Sequence, residues 1–133
     1  MRVIISGATG FIGQALCREL HEDYELITLS RDVRKASDRL GGYAKAVEWD
    51  ARTAGGWARY VEGAHAVIDL AGESLASGPW TQSKKDSIMQ SRTNSATAVV
   101  DAISGARDKP KVVLQASAVG YYGSRGDETL DEE

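Results

Sequence analysis

Val3-Ile4-Ile5-Ser6-Gly7-Ala8-Thr9-Gly10-Phe11-Ile12-Gly13 is the stretch that decides the fold of this chain. An apolar run, a turn with a glycine at every third position and an apolar helical start make a strand–turn–helix of the dinucleotide-binding type. Gly7 permits the tight turn off the strand. Gly10 lets the backbone approach a pyrophosphate with no Cβ in the way, and Gly13 lets the helix sit close on the strand. The N–H groups of the first helical turn then face the phosphates, so Thr9, Phe11 and Ile12 join the three glycines as expected cofactor contacts. A glycine-rich βα turn that binds nothing has the same letters; the strand before and the helix after are what separate the two.

Outward from this turn, strand and helix patterns alternate. The expected elements are a strand over Arg2 to Ser6, a helix over Phe11 to His21 with Ile12, Ala15, Leu16 and Leu20 on its apolar stripe, and a strand over Glu25 to Ser30. A short helix over Val33 to Leu40, closed by Gly41-Gly42, leads to a strand over Ala44 to Trp49 and a helical turn over Gly56 to Glu62. Then come a strand over Ala66 to Leu70, a long helix over Thr81 to Ser104 with Ile88, Arg92, Val99 and Ile103 in register, and a strand over Lys111 to Ala116. Apolar strands alternating with helices predict a doubly wound parallel sheet covered on both faces, in one α/β domain over residues 1–133.

Composition narrows the function classes. A chain of 133 residues, 42% hydrophobic and 26% charged, suits one globular domain. A net charge of -3 gives no general attraction to nucleic acid or anionic membrane, and no apolar run is long enough to span a bilayer. With no signal-peptide pattern at Met1-Arg2, a cytoplasmic location is expected. Cys17 is the only cysteine and sits in the first helical pattern, which reads as a buried thiol. His21 and His65 are too few and too far apart for a metal cluster and read as surface or loop residues.

Ligands of such sheets lie across the carboxyl ends of the strands, so the residues just after each strand carry the chemistry. After the second strand stand Ser30 and Arg31, where an NAD-preferring fold would place an acid on the ribose. Arg31 can bond a 2′-phosphate and Ser30 can add a hydroxyl, which predicts NADP(H) in preference to NAD(H). With Asp32 and Arg34 adjacent, a solvated arginine in a charged loop is the competing reading, and Asp32 could itself accept from the ribose. Asp50, after the third strand, fits the adenine edge and fits a plain turn aspartate equally. Leu70, Ala71, Gly72 and Glu73 follow the fourth strand, with small residues where the chain must pass beneath a cofactor. Ser117, Tyr121 and Tyr122 follow the fifth, placing a hydroxyl and two phenols where a carbonyl or alcohol could react; a Gly/Tyr-rich surface turn is the alternative.

As an ordered set, the glycine turn, Ser30-Arg31, Asp69-Leu70-Ala71-Gly72-Glu73, Pro79-Trp80-Thr81, Ser91-Arg92 and Gly120-Tyr121-Tyr122-Gly123 resemble the short-chain dehydrogenase/reductase superfamily. The resemblance covers the whole chain and is to the extended, epimerase/dehydratase-like branch, in particular its atypical "epimerase family" proteins. It implies a Rossmann domain with strand order 3-2-1-4-5, an NADP-type cofactor over the glycine turn, and a small, sugar-linked substrate. It also implies departures. Extended enzymes carry a Tyr-x-x-x-Lys pair after the fifth strand, and none occurs in this sequence. Their catalytic hydroxyl falls five residues before the Tyr-Gly glycine, whereas Ser117 is six before Gly123 and Ala118 five.

The chain therefore reads as the N-terminal part of a longer protein, ending before further strands and a substrate lobe. Its fifth strand would then be a bare edge, which predicts a homo-oligomer, and Asp127 to Glu133 would be an acidic tail that is mobile or carried by a neighbour. Three function classes compete: an NADP-linked oxidoreductase or epimerase acting by hydride transfer, a nucleotide-binding regulatory module without chemistry, and an interaction protein using the fold alone.

Overall fold

A computed structural model describes residues 1–131 of the chain; of the expected acidic tail, Glu132 and Glu133 lie outside the described residues. Five parallel strands form one sheet in the order β3-β2-β1-β4-β5, the order that the resemblance implies. They are β1 (Arg2–Ser6), β2 (Glu25–Ser30), β3 (Lys45–Glu48), β4 (Ala66–Asp69) and β5 (Val112–Gln115), joined by helices α1 (Phe11–Leu20), α2 (Val33–Leu40) and α3 (Gln82–Gly105). Two 3₁₀ segments, Gly55–Tyr60 and Val119–Tyr122, complete the chain order.

Alternation along the central strands divides the core in two. Val3 and Ile5 of β1 pack with Cys17 of α1 and Leu40 of α2 on one face. Ile4 packs on the other face with Ile27 and Val67 of its neighbours, Ala98, Val99 and Ala102 of α3, and Trp57 of the first 3₁₀ segment. Ile4 sits opposite Ile27 on one side and Val67 on the other, so the middle of the sheet is a continuous apolar floor. Right-handed crossovers between parallel strands require helices on the faces, and both faces have them.

Several boundaries move by a residue. His21 and Thr81 are helix-flanking residues rather than helical ones; the Thr81 hydroxyl accepts from the Lys84 N–H at 3.2 Å as the α3 cap. Leu70 leaves β4 because its N–H turns to Ser6. The stripe expected on α1 also shifts. Ile12 is exposed, and Gly13, Leu16, Cys17 and Leu20 face the sheet instead, because Gly13 has to be the residue nearest the β1 turn. On α3 the buried residues are Ser95, Ala98, Val99 and Ala102, a small-residue face that lets the helix approach β4, while Arg92 is exposed. His21 and His65 are half-buried and pair with the rings of Tyr43 and Tyr24. Among the described residues there is no group of metal-ligating side chains, and no helix is long and apolar enough to cross a membrane.

Candidate functional site

The glycines divide their work as geometry demands. Gly7 has φ +66, and a Cβ there would lie 2.6 Å from the Leu70 carbonyl oxygen, so the turn can press against the chain leaving β4 only as glycine. A Cβ on Gly13 would lie 2.5 Å from the Ala8 Cα, which fixes how closely α1 sits on the turn. Gly10 differs from both. Its φ is -77 and its ψ 175, and a Cβ would meet only the Gly7 carbonyl oxygen at 3.2 Å. It caps α1 with no side-chain hydrogen bond and lines a cavity.

That cavity, about 760 Å³, lies where β1, β2, β3 and β4 end. Its lining includes Gly7, Thr9, Gly10, Ser30, Arg31, Asp50, Leu70, Ala71, Gly72 and Glu73, so ten of the expected cofactor contacts come together from four separate loops. Gly13 is buried behind the turn, and Phe11 and Ile12 are exposed on α1; none of these three lines the cavity. Ser117, Tyr121 and Tyr122 are exposed beyond β5 and do not line it either, with Tyr121 and Tyr122 edge to face on each other.

Beneath the turn, Asp69 is fully buried at the end of β4 and gathers the surrounding donors. The Ser95 hydroxyl donates to its carboxylate at 2.7 Å, the Ala71 N–H at 3.2 Å, and the Ser6 hydroxyl donates to it as well. The Ser6 oxygen in turn accepts from the N–H groups of Leu70 and Ala71. Buried polar groups with every donor matched hold their elements in one arrangement, here β1, the β4 loop and α3.

Glu73 ties that loop to α3. Its carboxylate takes the Lys84 ammonium and the Ser87 hydroxyl, its N–H donates to Ser91 Oγ at 3.0 Å, and its carbonyl accepts from Arg92 at 3.3 Å. The Lys84 hydrogen bond, then that of Ser87, holds the Glu73 carboxyl below the usual carboxylate range, and the charge of Arg31 adds to it. The guanidinium of Arg92 also lies against Gly72, 3.0 Å from where a Cβ would be.

Two expected contacts are committed locally. The Ser30 hydroxyl donates to the Asp32 carbonyl at 3.0 Å and accepts from its N–H at 3.1 Å, closing the turn into α2. Asp50 Oδ1 accepts from the N–H groups of Arg52 and Thr53 and Oδ2 from the Thr53 hydroxyl, bonds that lower its carboxyl pKa, the Thr53 N–H most. This loop carries Ala51 at φ 62, the one non-glycine residue with positive φ among those described. Both Trp49 and Trp57 donate their indole N–H to the Thr53 carbonyl, at 2.8 and 2.9 Å.

Sequence reasoning missed Lys35 and Arg39 of α2 and Ser87, Gln90 and Asn94 of α3, which line the cavity, and quoted Ser91, which lines it too, only within the resemblance. Their spacing by three and four residues on one helix face was the available signal. The fold and cavity define a Rossmann-type α/β domain. The chain belongs to the NAD dependent epimerase/dehydratase family, whose sequence profile matches residues 3–133. It is 35% identical to the epimerase family protein YfhF of Bacillus subtilis over 100% of this chain and 43% of that protein. It is 36% identical to the chloroplastic epimerase family protein SDR39U1 homolog of Arabidopsis thaliana, over 99% of this chain and 38% of that one. The chain thus spans less than half the length of these relatives.

Among solved structures, UDP-glucuronic acid 4-epimerase from Bacillus cereus, in complex with UDP-glucuronic acid and NAD, superposes with a TM-score of 0.78 at 16% identity, covering 99% of this chain and 44% of that one. UDP-glucose 4-epimerase from Bifidobacterium longum, in complex with NAD+ and UDP, gives 0.77 at 18% identity, covering 100% and 42%. At these identities the likeness is one of fold.

Proposed function

We propose that the cavity binds an NADP-type dinucleotide and that the protein acts by hydride transfer on a small, sugar-linked substrate in the cytoplasm. The observation that carries this reading is the glycine turn opening onto a cavity whose β2 wall ends in Arg31 rather than an acid. The residues fit the group. Gly10 leaves bare backbone toward the cavity, α1 begins there without a side-chain cap, and Gly72 and Ala71 keep the opposite floor low. Bound, the nicotinamide would supply a hydride acceptor or donor. Ser117 would polarise the substrate oxygen, with Tyr121 or Tyr122 moving the proton.

The similar epimerase structures hold NAD, and those are other proteins; the NADP preference here rests on Arg31. Titrating NADPH and NADH against the native protein and Arg31→Ala tests it. The native protein should favour NADPH, and the variant should lose about 1.5–3 kcal/mol of that preference, the worth of one hydrogen bond to a charged group. Equal affinities, or an indifferent variant, would refute the assignment. A second reading, a nucleotide-binding module without chemistry, is favoured by Ser117, Tyr121 and Tyr122 lying outside the cavity lining. Turnover with a substrate separates the two.

A further inference from the structure

Three cations share one wall of the cavity. Arg31 follows β2, and Lys35 and Arg39 succeed it at intervals of four residues, so that Lys35 and Arg39 lie on one face of α2. All three are exposed and all three line the cavity. The ion pairs among the described residues are Arg2–Glu25, Lys84–Glu73 and Arg125–Glu128, and include none of them.

The neighbouring acids are otherwise engaged. Asp32, on the same wall, accepts the Lys35 backbone N–H at 2.9 Å as the α2 cap. Glu73, which feels the charge of Arg31, is held by Lys84 and Ser87. The Ser30 hydroxyl is closed into its own turn. Arg39 donates one N–H to the Thr9 carbonyl at 3.2 Å, which holds its guanidinium against the glycine turn. Three like charges gathered on one wall repel one another, and a multiply charged anion between them removes that repulsion.

We propose that Arg31, Lys35 and Arg39 together form a subsite for a phosphomonoester dianion, the 2′-phosphate of an adenine dinucleotide, with Arg39 joining this subsite to the glycine turn. The assignment rests on the dinucleotide reading above and extends it to two residues of α2. A phosphomonoester above its second pKa, about 6, carries close to two charges, which one arginine leaves half balanced. Lys35 supplies the second cation. Arg39, bonded to Thr9, serves both the 2′-phosphate and the pyrophosphate.

The test is calorimetric titration of the protein with 2′,5′-ADP and with 5′-AMP, which differ by the 2′-phosphate alone. The native protein should bind 2′,5′-ADP more tightly. Lys35→Gln should weaken 2′,5′-ADP about tenfold and leave 5′-AMP unchanged, whereas Arg39→Gln should weaken both. The salt dependence of 2′,5′-ADP binding should also be shallower in Lys35→Gln. Both side chains are exposed, and matched thermal melts would show that the variants fold. If Lys35→Gln binds 2′,5′-ADP as the native protein does, or weakens both probes equally, the subsite is wrong while 5′-AMP binding keeps the dinucleotide reading. If the native protein binds neither probe, both fall together.

Discussion

At the scale of the residue, the three glycines of the turn make separable predictions. Gly10→Val should abolish nucleotide binding and leave the fold largely intact, because its backbone is ordinary, a Cβ meets only the Gly7 carbonyl oxygen, and the residue lines the cavity proposed for the pyrophosphate. Gly7→Val should unfold the domain or nearly so, since it combines a positive φ with contact on the Leu70 backbone. Thermal melts and a nucleotide titration on both variants check the pair, and a Gly10→Val protein that binds normally would make that glycine purely structural. Asp69→Ala should destabilise by at least about 2 kcal/mol in urea, because it strands the Ser6 and Ser95 hydroxyls and the Ala71 N–H in the interior. Ser117→Ala, by contrast, should reduce turnover far more than cofactor affinity.

The β4 loop and α3 behave as one element because Glu73 joins them. Its carboxyl is held below the ordinary carboxylate range by Lys84 and Ser87, so the stabilisation it gives is complete above the unfolded value, about 4.3, and fades as pH falls through the lower folded value. Between those two values, acid should release the loop before the sheet melts. Limited proteolysis between Ala71 and Trp80 over a pH series would show this, and Glu73→Gln should bring the same cleavage to neutral pH. A loop equally resistant at all pH values would show that Ser91 and Arg92 hold it unaided.

For the whole molecule, β5 is one of the two edge strands among the described residues. It pairs with β4 along one edge, no strand pairs with its other edge among the described residues, and Val112, Val113 and Leu114 are all exposed. We propose that a second copy of the chain covers this strand, since unpaired N–H and C=O groups beside apolar side chains favour edge pairing. Light scattering over a concentration series should show association; a monomer throughout would overturn it. The alternation of elements, the cover on both sheet faces and most of the cavity were legible in the sequence, because period and glycine spacing report burial and turns directly; the strand order came from the family resemblance. Ser30 lines the cavity as expected, but the local use of its hydroxyl was not legible, since a hydroxyl two residues before an N–H closes a turn as readily as it meets a phosphate. Lys35 and Arg39 escaped notice because a charged helix face looks the same whether it meets solvent or a cavity. The α1 stripe was misplaced because a glycine, invisible to hydropathy, took the inward position.

The shared Thr53 carbonyl has an optical consequence. Trp49 and Trp57 are buried edge to face, 5.8 Å apart, while Trp80 is exposed on the β4 loop. Emission from the chain should therefore contain a blue component from the paired indoles and a red one from Trp80, and only the red one should be open to a soluble quencher such as iodide. Trp49 also borders the cavity, so a reduced nicotinamide seated there would draw excitation from the blue component by energy transfer. The protein carries its own binding reporter, with a control chromophore on the same chain.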